Sequence, residues 1–245
     1  MRTANPALNE QVFMAIPYYG ENAMTVNGTV TRTGVLLGVC ALTAVWTWHM
    51  TTAAGQMVGL WVMGGVIGGL ITAMVTVFNK KLAPITGPIY AALEGLALGA
   101  ISAAFEMLYP GIAITAIGLT FGVLAVMLVA YRTGLVRATE KFKLGVVAAT
   151  GGIFLFYLVA LILGFFKISV PLIHGTGTFG ILFSLFVVGV AALNLVLDFD
   201  LIEQGAATGA PKYMEWYAAF GLMVTLVWLY LEILRLLARL QERNR

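Results

Sequence analysis

The chain has 245 residues, 60% of them apolar and only 10% charged. A soluble domain carries roughly 25% charged residues, so these few charges could not cover a water-soluble fold of this length. The net charge of +3 is small, and its lysines and arginines fall in short clusters between apolar stretches. That pattern is the one membrane topology requires and gives no basis for nucleic-acid binding. The single cysteine, Cys40, excludes an internal disulfide framework and a cysteine-type zinc cluster.

Taken in chain order, residues 1–30 lack an apolar core of signal-peptide length and hold Glu10, Glu21 and several turn formers. They read as a polar N-terminal arm. A crossing needs about 20 mostly apolar residues, and seven stretches qualify within a 31–238 membrane domain. They are Thr33–Met50, Gly55–Phe78, Thr86–Leu108, Gly111–Tyr131, Leu144–Phe166, Thr178–Val196 and Trp216–Leu237. The breaks NKKLAP, YPG, RTGLVRATEKFK, KISVPLIHGTG and EQGAATGAPK carry charge, proline or glycine, and residues 239–245 form a basic tail. Unpaired backbone is too costly in lipid for anything but helices or a closed barrel. The long continuous runs do not have the period-two pattern of a barrel. The expected fold is therefore an all-α polytopic bundle of about seven transmembrane helices, in a chain that is an integral membrane protein.

Glycines four apart (Gly55/Gly59, Gly64/Gly68, Gly65/Gly69 and Gly95/Gly99) line single helix faces. Close packing inside the bundle is the expectation, with a homodimer face as the alternative. Counting cations, Arg2, Arg32, Lys80, Lys81, Arg132, Arg137, Lys141, Lys143 and Lys212 fall on the N-terminal side of the membrane, which places the N-terminus in the cytoplasm. Arg235, Arg239, Arg243 and Arg245 are the misfit, because seven crossings put them outside with Lys167. Their charge favours a cytoplasmic tail, with the penultimate or last segment not crossing in full.

No phosphate-binding loop, paired-histidine motif or nucleophile–base set is present, so an enzyme is not expected, nor a resident cofactor. His49 and His174 sit near membrane edges and read as polar fillers. The informative residues are acids at membrane depth, because an ionisable group there faces a partner, a cavity or an ion path. Glu94 lies mid-segment in AALEGLALGAIS, with Glu106 at the end of that segment. Asp198 and Asp200 close the sixth run in NLVLDFDLIEQG, and Glu232 is deep in the seventh in LVWLYLEILRLL. Two residues apart on a helix, Asp198 and Asp200 point about 200° away from each other, while Asp200 and Glu203 share a face. Glu232 and Arg235 are three apart and could neutralise each other. Asp198 and Glu232 stand out as a candidate pair. Two carboxylates sharing one proton titrate as a unit, and when ionised they can bind a hard divalent cation through oxygen.

The segment NLVLDFDLIEQ, with LYLEILRLLARL after it, resembles the acid-bearing last two helices of the transmembrane Bax inhibitor motif family. NPALNE and NKKLAPITGPIYAALEGLALGAIS are similar to a bacterial subgroup of that family. The resemblance implies seven helices with the last one central, a bacterial inner-membrane location and a pH-sensitive calcium leak controlled by Asp198 and Glu232. In the family's leak a basic residue latches the acidic pair. No arginine lies in the second or third span here, which leaves Lys80, Lys81 or Arg235 for that role. Glutamate stands at 232 where the family has aspartate, and the connection between the two acids is longer than usual. Calcium ions, protons and the lipid bilayer are the implied partners. A membrane-embedded interaction protein acting on a membrane protease or another partner is the first alternative, and a proton-coupled transporter the second.

Overall fold

The structure, a computed structural model, describes residues 22–54, 58–166 and 177–243. The arm through residue 21, Gly55, Lys167, His174 and Arg245 lie outside them. Among the described residues seven long helices follow one another: α1 (Val26–Ala54), α2 (Val58–Phe78), α3 (Ala83–Leu108), α4 (Ile112–Arg132), α5 (Glu140–Phe165), α6 (Thr178–Ala207) and α7 (Met214–Arg243). All seven are long and apolar enough to cross a bilayer. The last is the most buried.

Helix ends extend beyond the apolar runs. α1 starts at Val26, inside the stretch read as a polar arm, because its threonines satisfy themselves. The hydroxyl of Thr29 donates to the Thr25 carbonyl (3.0 Å), that of Thr31 to Asn27 (2.9 Å) and that of Thr33 to Thr29 (2.9 Å). Bonding back to the preceding turn makes a threonine-rich segment compatible with a membrane helix. α5 starts at Glu140 rather than Leu144, where Thr139 caps it by accepting from the Phe142 N–H at 3.3 Å. α6 runs to Ala207 and α7 to Arg243, so the segment read as a basic tail is mostly helix.

The chain forms two compact units. One gathers residues 22–113 with 200–224 and the other 114–199 with 225–243. In the first, α1 and α2 both pack on α3. A Cβ on Gly95 would fall on Thr43 and the Cys40 carbonyl, and one on Gly99 would fall on the Ala44 carbonyl. On α2, a Cβ on Gly65 would lie 2.6 Å from the Leu93 carbonyl oxygen. These glycines bring helix backbones into contact within the chain. Gly59 and Gly64 face open space, so the four-residue spacing alone did not identify which glycines pack. Thr76 and Thr86 add a 2.7 Å hydrogen bond between α2 and α3.

Glu106 has a structural job in this unit. Its carboxylate accepts from the N–H groups of Gly111 (2.6 Å) and Ala113 (3.0 Å), which cap the first turn of α4. The first four N–H groups of a helix have no partner inside it. Glu106→Ala should therefore cost about 1 kcal/mol, read as a lower thermal midpoint of the purified protein. Glu106→Gln, which keeps an acceptor, should recover part of it.

Candidate functional site

The second unit holds the two acids singled out by depth. Asp198 on α6 is 0% exposed and Glu232 on α7 is 1% exposed. Glu232 Oε1 accepts from Arg235 Nη1 at 2.7 Å and from the Tyr157 hydroxyl at 3.0 Å. Arg235 Nη1 also donates to the Tyr157 hydroxyl oxygen at 3.0 Å, and its guanidinium lies over the Tyr157 ring, 5.5 Å from the centroid. These contacts close a three-membered network across α5 and α7. Glu232 Oε2 is buried and makes no hydrogen bond to the described residues. Of the three basic residues proposed as a latch, Arg235 is the one on Glu232. Lys80 and Lys81 belong to the first unit.

Arg239 is the next cation along α7 and is 6% exposed. It donates to the Gly180 carbonyl (2.6 Å) and the Ser184 hydroxyl (2.7 Å) at the start of α6, within electrostatic reach of Glu232 and Arg235. The end of α7 therefore lies beside the beginning of α6. Both helices are 30 residues long, well beyond the length a crossing needs. The tail charges suggested a shortened penultimate or last crossing, and both helices concerned are long and apolar enough to cross in full. Two of the four cations behind that suggestion are engaged inside the bundle: Arg235 with Glu232, and Arg239 with α6.

Asn194 of α6 donates to the Thr150 hydroxyl of α5 at 2.8 Å. Tyr157, seven residues further along α5, meets Glu232. Asp198 lies one turn beyond Asn194 and, like Glu232, is sealed in this unit.

The supporting acids belong to the first unit. Asp200 accepts from Gln204 Nε2, one turn on, at 2.6 Å. Glu94 lies against α2, where its Oε1 would be 3.2 Å from a Cβ on Gly69. Tyr157, Ser184, Arg239 and Glu215 were missed from sequence. Tyr157 and Ser184 look like ordinary fillers of apolar runs, and only the fold brings them to charged groups. Among the described residues no three of His, Cys, Asp and Glu gather as metal ligands.

An acid-bearing seven-helix bundle of this kind can be compared with known families. The model of the family described as Bax inhibitor 1 like matches residues 5–242. This chain belongs to the Bax inhibitor 1 like family. No curated protein and no solved structure matches it. The family match spans all seven helices, and with their length and apolarity it makes this family member an integral membrane protein.

Proposed function

We propose that this Bax inhibitor 1 like protein is a pH-sensitive leak for cations, calcium among them, with Glu232 as its proton-controlled group. The carrying observation is that Glu232 is sealed in the bundle with one carboxylate oxygen held by Arg235 and Tyr157 and the other without a hydrogen bond to the described residues. An ionised carboxylate at membrane depth needs such a partner. Protonating Glu232 removes the charge that holds Arg235. In this reading a neutral Glu232 opens the clasp between α5 and α7, so cation flux should rise on acidification. Asp198 is a second buried carboxylate in the same unit, suited to a cation passing through. Calcium is here a transported ion, its hydration replaced stepwise by oxygen ligands.

The test is calcium entry into liposomes between pH 6 and 8. Glu232→Gln should flatten the pH profile at a raised flux. Asp198→Asn should lower the flux while leaving the profile's shape, and Asp200→Asn should change little. Parental profiles in both Glu232→Gln and Asp198→Asn would overturn the reading and favour an interaction protein.

If all seven helices cross, the positive charges favour one orientation. With Arg235 and Arg239 engaged inside the bundle, the remaining positive charge is concentrated on the N-terminal side. We place the N-terminus and the connection between α4 and α5 in the cytoplasm and the C-terminus outside. In a Cys40→Ala background, the Ala138→Cys variant should resist labelling from outside intact cells, and a C-terminal tag should be cut by external protease. Efficient external labelling of Ala138→Cys would reverse the assignment.

A further inference from the structure

We propose that the first turn of α7 carries a binding site for the headgroup of an anionic phospholipid. The site begins with an acid that has no part in the proposed ion flux. Glu215 is 1% exposed and accepts from the Thr25 N–H (3.0 Å) and hydroxyl (2.9 Å). It pairs with Lys212 at 3.5 Å and Arg32 at 3.8 Å. Gly28 leaves it room, since a Cβ there would fall on the carboxylate. Backbone bonds from Met24 N–H to Ala210 O (2.7 Å) and from Lys212 N–H to Asn22 O (2.9 Å) fasten the same two segments together.

The carboxylate is sealed, but the cations it positions are turned outward. The side chain of Lys212 is 47% exposed and that of Arg32 is 32% exposed. Arg32 stands over the Trp216 ring, 5.1 Å from its centroid, and Lys80 over the Tyr217 ring at 5.9 Å. Both cations are thereby held at consecutive residues of one helical turn. Lys81 adds an exposed charge beside Lys80. Against the one carboxylate of Glu215, these four cations leave a surplus of positive charge at a helix N-terminus, whose dipole has the same sign.

The surroundings favour a lipid over a free anion. The cations occupy the ends of apolar helices, where headgroups lie, and aromatic rings mark that level. Exposed apolar side chains flank two of them along the chain: Phe78 (82%) before and Ile85 (64%) after Lys80 and Lys81. A phosphate held by the cations would leave its acyl chains along these residues. Basic pockets among transmembrane helices recognise anionic headgroups in this way.

The experiment titrates the purified full-length protein in detergent with phosphatidylglycerol, phosphatidylcholine or inorganic phosphate. Bound lipid is counted by native mass spectrometry, and the thermal midpoint is followed in parallel. The parent should bind phosphatidylglycerol at least about tenfold more tightly than phosphatidylcholine, and inorganic phosphate should not raise its midpoint. Lys80→Gln/Lys212→Gln should weaken phosphatidylglycerol binding about tenfold or more, while Lys80→Arg/Lys212→Arg retains it. Lys80→Gln alone leaves the Glu215 ion pairs intact and should weaken binding about fivefold. The control Arg137→Gln/Lys141→Gln removes the same net charge elsewhere and should stay within about twofold. Equal binding of phosphatidylcholine, a matching midpoint shift with inorganic phosphate, unchanged binding in Lys80→Gln, or an equal loss in the control would overturn the site.

Discussion

Arg235→Gln should release Glu232 and produce a calcium flux that is high at every pH between 6 and 8. The guanidinium makes the 2.7 Å ion pair with Glu232 and also donates to Tyr157. Without it, the buried carboxylate keeps only the Tyr157 hydroxyl. Removing one partner of a fully buried pair costs about 3–5 kcal/mol. The Arg235 side chain is 38% exposed, and solvent screening lowers the expected cost to about 1–2 kcal/mol. The variant should therefore still fold, with a modestly lower thermal midpoint and a changed flux. Tyr157→Phe removes one neutral donor and should cost about 1 kcal/mol, with a smaller rise in flux. If Arg235→Gln kept the parental pH profile, Arg235 would be a packing residue and the latch would lie elsewhere.

The largest stability loss is expected from Gly99→Ala. The added methyl would occupy the position of the Ala44 carbonyl, so α1 must move as a body. A backbone carbonyl cannot swing aside as a side-chain tip can. Overpacking of this kind costs about 1–3 kcal/mol and sometimes more, and Gly95→Ala should behave alike against the Cys40 carbonyl. Gly118→Ala on α4 is the matched control, because nothing lies within 4 Å of its added Cβ. Alanine is the better helix former by about 1 kcal/mol, so that variant should be neutral or slightly more stable. Thermal midpoints of the purified variants decide the point. Equal losses at positions 99 and 118 would mean that α1 and α3 are not in backbone contact.

The seven helices were legible because lipid imposes a length and an apolarity that few other structures share. Their ends were not, because the features that set them are polar. The threonines around Arg32 look like loop residues until their hydroxyls are seen to bond to the preceding turn. Arg32 itself is neutralised by Glu215, far away in sequence. The same lack of long-range information affected the charge count, since Arg235 and Arg239 look like tail cations and are engaged on α5 and α6. Depth marked Asp198 and Glu232 as the acids of interest, and both are sealed in one unit. Apolarity says nothing about register, however, and it is the register of α5 and α7 that brings Tyr157 to Glu232.

Whether this protein passes cations under the control of a buried glutamate is decided most directly by calcium entry into liposomes that hold only the purified protein. Entry is followed as the pH is stepped from 8 to 6, beside protein-free liposomes of the same lipid. The expected result is entry above the protein-free level that grows as pH falls, and a Glu232→Gln protein whose entry stays high at both ends of the range. Entry no greater than that of protein-free liposomes at every pH, with the protein shown to be folded by its thermal midpoint, would contradict it.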